Sequence, residues 1–161
     1  MTIAWRLVKA RHQAGAFSGE GARIVGGRWN HPGTRVVYAS ESLALAALET
    51  FVHLGHAAVA IRFVAFRITI PDAVTVEHVA PRALPRRWRS EPPLPESMDL
   101  GTRWVDSGRS ACFRVPSVVI PRESNLVLNP AHPDFKRITI DPPEAFTFDP
   151  RLWKNTGAAS A

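Results

Sequence analysis

Five residues of this 161-residue chain stand where their side chains could do chemistry. Arg28 lies in the run Gly26-Gly27-Arg28-Trp29-Asn30, where glycines let the backbone approach a ligand closely and the guanidinium presents a planar fork to phosphate oxygens. The plainer alternative is a surface arginine paired with a nearby acid. Glu49 falls among Leu43, Ala44, Ala47, Leu48, Phe51 and Leu54, which recur at helical spacing. A carboxylate beside a buried face must be paired or neutralised, or else it has work to do, unless it is a solvated residue on the helix edge. Tyr38, the only tyrosine, ends a β-branched run and offers a π-face and a hydroxyl, or else serves as a core residue. Ser117 follows Pro116 and is placed to hydrogen-bond an anion, to orient an acid or to cap a turn. Arg6, in the first apolar fragment, is a second candidate anion contact or an exposed strand residue.

Other chemistries are excluded by what is missing. Cys112 is the only cysteine, and the six histidines (12, 31, 53, 56, 78 and 132) show no HxxxH spacing on a helix, so no metal site is expected. No Gly-Lys-Ser/Thr follows the glycines. The glycine-rich run also precedes a strand instead of opening a helix, which removes both the Walker and the Rossmann modes of nucleotide binding. No histidine adjoins Ser117 in sequence, so a Ser-His-acid hydrolase has no local support.

The elements that must position these residues follow from pattern. Ile3 to Val8 reads as a strand, followed by an open loop with Gly15, Gly19, Gly21, Gly26 and Gly27, in which Trp29 and Asn30 shape the chain. Thr34 to Ala39 reads as a strand, and Ser40-Glu41-Ser42 offers an N-cap to a helix that carries Glu49 and stops near Gly55. From Val59 the apolar parity runs through Ile61 and Phe63 and then changes to Phe66, Ile68 and Ile70, which predicts a bulge or bend near Val64 or Ala65 before Pro71 ends the strand. Pro81 to Pro95, with Arg82, Arg86, Arg87 and Arg89, reads as a surface loop whose arginines are solvated or meet a partner. A short helix over Asp99 to Ser107 leads to strands at Cys112 to Ile120, interrupted by Pro116, then Asn125 to Leu128 and Ile138 to Ile140. The expectation is an α+β fold with a bent, mostly antiparallel sheet and a few helices, one domain over 1–154 and a flexible tail over 155–161.

Composition agrees with a single packed core: 45% hydrophobic and 21% charged residues exclude a disordered tail or a coiled coil. Twenty Lys and Arg against fourteen Asp and Glu leave +6, which favours anionic partners. A lone cysteine and basic residues near the start, in place of an apolar leader core, point to the cytoplasm, and no apolar stretch approaches the roughly 20 residues that span a bilayer.

Gly26-Gly27-Arg28-Trp29-Asn30, then Val36-Val37-Tyr38-Ala39-Ser40, Ala46-Ala47-Leu48-Glu49, Val115-Pro116-Ser117, Glu123-x-Asn125 and Leu128-Asn129-Pro130 succeed one another in an order that resembles the RES-domain toxins. That family is named for an Arg, a Glu and a Ser, which fall here on Arg28, Glu49 and Ser117. The resemblance implies an ADP-ribosyltransferase-like fold and NAD+ as substrate, with no prosthetic group. It implies cleavage of the nicotinamide–ribose bond, as a glycohydrolase, a phosphorylase or a mono-ADP-ribosyltransferase, with ADP-ribose passing to water, phosphate or a protein. On that reading Arg28 and Arg6 meet the pyrophosphate and Tyr38 stacks on nicotinamide. Glu49 holds the ribose and stabilises the cationic transition state, and Ser117 bonds phosphate or orients Glu49. The implied partners are a cognate Xre-like helix-turn-helix antitoxin, a second copy within that complex and a protein acceptor, with neither membrane nor direct nucleic-acid contact. The alternative carried by charge alone is a nucleic-acid-binding module, although the arginines are scattered or gathered in one proline-rich loop.

Overall fold

The computed structural model describes residues 1–154, so the tail expected over 155–161 lies outside the described residues. Eight strands form one sheet: β1 (Thr2–Lys9), β2 (Val37–Ser40), β3 (Phe63–Ile70), β4 (Val76–His78), β5 (Cys112–Pro116), β6 (Ser124–Leu128), β7 (Thr139–Ile140) and β8 (Glu144–Phe146). Their order is β4-β5-β6-β2-β1-β3-β7, with β8 also on β3. Only β4 and β5 run parallel. Among the described residues three α-helices accompany the sheet: α1 (Glu20–Val25), α2 (Leu43–Phe51) and α3 (Pro95–Ser107). The expected α+β architecture with a mostly antiparallel sheet is present.

Alternation along the central strands sends residues to two faces. Val37, Ala39, Leu126, Leu128 and Cys112 join Ala4, Ile68 and Ile70 in one buried cluster. Burial in that cluster pushes the Cys112 thiol up to about 12. The residues of opposite parity, Phe113, Val115 and Val127, pack with Trp29 and Trp104 in a second cluster that Tyr38 borders. There the Trp104 and Phe113 rings stack with centroids 5.2 Å apart. A third cluster of Leu7, Phe63, Ala65 and Phe148 receives Ala46 from α2.

Several local expectations change. The stretch after β1 is not open loop: it folds as a 3-10 turn over Ala10–Gly15 and then as α1, whose Glu20 pairs with Arg23 and Arg35. Helix α2 is capped as expected, with the Ser42 hydroxyl accepting the Leu45 amide at 3.1 Å, but it ends at Phe51, ahead of Gly55. β3 contains no bulge. Its register with β1 runs unbroken from Thr2↔Ile70 to Lys9↔Phe63, and the parity change arises because its first half is buried on the third cluster and its second half on the first. Helix α3 begins earlier than Asp99, at Pro95, where a missing amide proton is harmless, and ends at Gly108 in the left-handed conformation. The short strands β4 and β8 carry no alternation long enough to be read from sequence.

Gly101 sets how closely α3 approaches the loop before β2. A Cβ there would lie 1.8 Å from the Trp29 carbonyl oxygen. Gly101→Ala must therefore push α3 off that loop, and overpacking against backbone is expected to cost about 3 kcal/mol. Chemical denaturation of the Ala variant checks this; an unchanged midpoint would mean that the helix shifts freely.

Candidate active site

Helix α2 projects Glu49 toward the ends of β5 and β6, where two donors converge on one of its oxygens. Oε1 accepts the Ser117 hydroxyl at 2.7 Å and the Asn125 side-chain amide at 2.6 Å. Ser117 follows Pro116 at the end of β5, and its Oγ accepts the Ile120 backbone amide at 2.9 Å. An amide can only donate, so the hydroxyl proton is committed to Glu49. The Asn125 amide oxygen accepts the Ser40 hydroxyl at 2.7 Å. Ser40 and Ser117 are buried, while Glu49 and Asn125 are half-buried. The four residues thus present a carboxylate near the surface, backed by two enclosed hydroxyls.

Along β2, Tyr38 stands two residues before Ser40 and shares its face, about 6.6 Å away along extended chain. Its phenol donates to the Asn30 side-chain oxygen at 2.7 Å and accepts the Trp29 amide at 3.1 Å. Burial pushes that phenol well above its ordinary value, so it stays neutral. Tyr38 and Arg6 line a cleft of about 260 Å³ floored by Gly15, Gly19, Gly21 and Gly26. The cleft exists because β1 pairs with β2 at a single position, Trp5↔Ser40, after which the strands part. Arg6 spans the gap: its Nη1 donates to the Tyr38 carbonyl and its Nε to the Ala16 carbonyl, each at 2.7 Å. Desolvation lowers its guanidinium to about 10. Glu49 does not line the cleft; Tyr38 and Ser40 connect the two places.

Arg28 lies near enough to Tyr38 for its charge to act on the phenol, but its hydrogen bonds go to the proline-rich loop. Its Nη1 donates to the carbonyls of Trp88 and Ser90, both at 2.8 Å, and its Nη2 to Glu91 at 2.9 Å. Its side chain is 15% exposed and that of Glu91 is 71%. The proline-rich loop is therefore a strap, with Leu84 and Trp88 packed on the second cluster, the Trp88 ring stacked on Trp29, and Arg82, Arg86, Arg87 and Arg89 exposed. Arg28 meets both a local acid and the strap backbone, while its Nε takes part in none of these bonds. The structure brings Glu49 and Ser117 together and puts Tyr38 and Arg6 on one cleft; no hydrogen bond joins Arg28 to either group. In the sequence Ser40 belongs to a helix-start pattern and to a motif, and Asn125 to a motif and a strand start; neither stands out there as a site residue. The period-2 rule, applied from Tyr38, would have placed Ser40 on the site's face.

Fold and site together define a class: a small α+β protein with a carboxylate-centred site beside the parting of two strands. The family is equally clear, since a model of the RES domain matches residues 3–149, and the chain belongs to the RES domain family. A protein of Sphingobium sp. (strain YBL2) named Prs ADP-ribosylating toxin is 43% identical over 155 residues, covering 94% of this chain and 96% of that protein. A protein of Yersinia enterocolitica named Toxin Res is 40% identical, covering 92% of this chain and 97% of its own length. The crystal structure of the M. tuberculosis MbcT-MbcA toxin-antitoxin complex contains a chain of the same fold, with a TM-score of 0.73 and 18% identity over 95% of this chain and 87% of that one.

Two expectations follow from this geometry. Tyr38→Phe keeps the ring but strands the Trp29 amide and the Asn30 oxygen, which is expected to lower stability by about 1 to 3 kcal/mol, read by denaturant unfolding. Arg28→Ala frees the strap, so limited trypsin digestion is expected to cut after Arg86, Arg87 or Arg89 sooner than in the parent. Equal digestion rates would show that Trp88 alone holds it.

Proposed function

We propose that this chain is the toxin of a toxin–antitoxin pair and acts in the cytoplasm by cleaving the nicotinamide–ribose bond of NAD+. The observation that carries this reading is the Glu49 carboxylate, held through Oε1 alone by Ser117 and Asn125, one strand step from a glycine-floored cleft lined by Arg6 and Tyr38. The likeness to a protein named as an ADP-ribosylating toxin supports the same chemistry. Its partner would be an antitoxin of the Xre-like helix-turn-helix kind.

The chemistry follows from what leaves. As the C1′–N bond breaks, its electron pair goes to nicotinamide and positive charge develops on the ribose. Oε2 of Glu49, which accepts no bond from the described residues, takes a ribose hydroxyl and faces that charge. Glycines without Cβ atoms admit the pyrophosphate, with Arg6 at the end of the cleft. A phosphate reaches Arg28 by replacing Glu91 on Nη2, a cheap exchange because an exposed ion pair is worth about 0 to 1 kcal/mol. The acceptor, whether water, phosphate or a protein side chain, adds to C1′ and gives up a proton. A protein acceptor is the version supported by the name of the Sphingobium relative.

Glu49→Gln tests the reading. Its oxygen can still accept both donors, and its new amide stands where Oε2 had no protein partner, so the fold is expected to hold. Removal of the charge is expected to lower turnover about 100-fold or more while NAD+ affinity changes little. Nicotinamide release followed by chromatography, beside thermal unfolding of the same variant, gives the answer; a folded Gln variant with parental turnover would defeat the mechanism. A salt-dependent DNA shift run alongside separates nucleic-acid binding suggested by the charge of +6.

A further inference from the structure

The Glu49 network has a direction that its chemistry imposes. An ionised carboxylate accepts and never donates, so Asn125 must turn its NH2 toward Glu49 and its carbonyl oxygen away. That oxygen then needs a donor, and Ser40 supplies one at 2.7 Å. Reversing the amide would set its oxygen against Oε1 at 2.6 Å, so Glu49 selects one orientation, and the Ser40 hydroxyl, able to donate or accept, meets it as a donor and anchors the far end of the amide. On the other side the Ile120 amide fixes the Ser117 proton on the same oxygen. Both donors meet Oε1 and neither meets Oε2.

Burial argues against a merely structural role for Asn125. A fully enclosed amide must find partners wherever it lies, but Asn125 is half-buried and water could serve it. Both its ends are nonetheless engaged by protein. Its backbone is fixed from two sides, because β6 lies between β2 and β5, with Asn125 opposite Ser40 on one and Val115 on the other. A rigid sheet position thus holds a side chain on a helix that arrives from a different layer.

We propose that Asn125 is a positioning residue: its amide, tethered at the far end by the Ser40 hydroxyl, rotates the Glu49 carboxylate so that Oε1 faces the protein and Oε2 faces the substrate. This rests on the reading of Glu49 given above and extends it to two further residues. Asn125 touches no substrate and acts through Glu49; Ser40 acts through Asn125. Loss of either leaves the charge in place and lets the carboxylate turn. The ground-state complex then forms normally, while the charge that develops at C1′ meets a misplaced oxygen.

The test is steady-state NAD+ turnover, by nicotinamide release, for the parent, Asn125→Ala, Asn125→Asp, Ser40→Ala and the Ser40→Ala/Asn125→Ala double variant, each checked by thermal unfolding. Asn125→Ala is expected to lower kcat by about 10-fold to 100-fold, with KM for NAD+ within about threefold. Asn125→Asp, matched in size, removes the donor and is expected to fall at least as far. Ser40→Ala is expected to lower kcat severalfold in the parent and not at all in Asn125→Ala, because its hydroxyl works only through that amide. Ser40→Ala leaves Glu49 and its donors in place, so it keeps the test available if the Asn125 variants do not fold. A folded Asn125→Ala with parental kcat overturns the proposal, as does a raised KM with kcat unchanged, which would make Asn125 a substrate contact. Additive losses in the double variant overturn the relay from Ser40. A parent that leaves NAD+ intact overturns the reading of Glu49 itself and the proposal with it.

Discussion

One carboxylate oxygen joins the parts of this fold that otherwise have no reason to meet. Glu49 Oε1 draws donors from positions 68 and 76 residues further along the chain, so α2 is tied to the far ends of β5 and β6. Hydrogen bonds to a charged acceptor are worth roughly twice neutral ones, and these two fix both the rotation of a side chain and the seat of a helix. Ala46 packs α2 on the third cluster, and Glu49, one turn on from the buried Leu45 and Ala46, stands on the same side of the helix. Helix placement and carboxylate placement are therefore a single constraint. The Ser42 cap, which sets where the helix starts, sets where Glu49 points.

The second constraint is the early parting of β1 and β2. In a continuous sheet the backbone groups beyond Trp5↔Ser40 would bond each other, and no cleft would open. Here Arg6 answers the Tyr38 carbonyl instead, reaching it with a long side chain where a strand would have used its amide. The substitution is expensive in desolvation, visible in the guanidinium lowered to about 10, and two carbonyl bonds offset it. The result is a gap bordered by Arg6 and Tyr38, by glycines, and by Glu20 and the apolar Val25 and Val36.

How much of this was legible in the sequence depends on the range of the interaction. Local signals read well: the Ser42 cap, the strand end before Pro71 and the α+β character follow from neighbours in the chain, whereas the strand expected through Ile120 stops at Pro116. The pairing of Ser117 with Glu49 was readable only as one option among several, since 68 residues separate them. The parity change in β3 reads as a bulge or bend, and the register excludes the bulge: a strand buried on both faces at different ends produces the same pattern. α1 escapes because six residues containing a glycine give too short a period, and of the two arginines paired with its Glu20 only Arg23 is local, while Arg35 is brought near by folding. Asn125 and Ser40 were invisible as a pair, because cross-strand register has no signature in one chain.

Arg28 shows why a residue type at the right spacing does not settle a role. Its fork was expected at a phosphate, and the fold gives two of its donor contacts to strap carbonyls. Those carbonyls lie in a segment with too many prolines for regular structure, so their lone pairs need a donor from outside. Arg28 supplies it, and the stacked Trp29 and Trp88 rings close the same contact from the apolar side. The strap is thus fastened by one cation and one aromatic pair from adjacent residues of the glycine-rich run. Anion recognition and strap anchoring do not exclude each other at a guanidinium with five N–H groups: Nη1 serves the carbonyls, while Nη2 faces an exposed glutamate that an anionic ligand can displace. The weak partner is the solvent-exposed one, and the carbonyl bonds hold the strap.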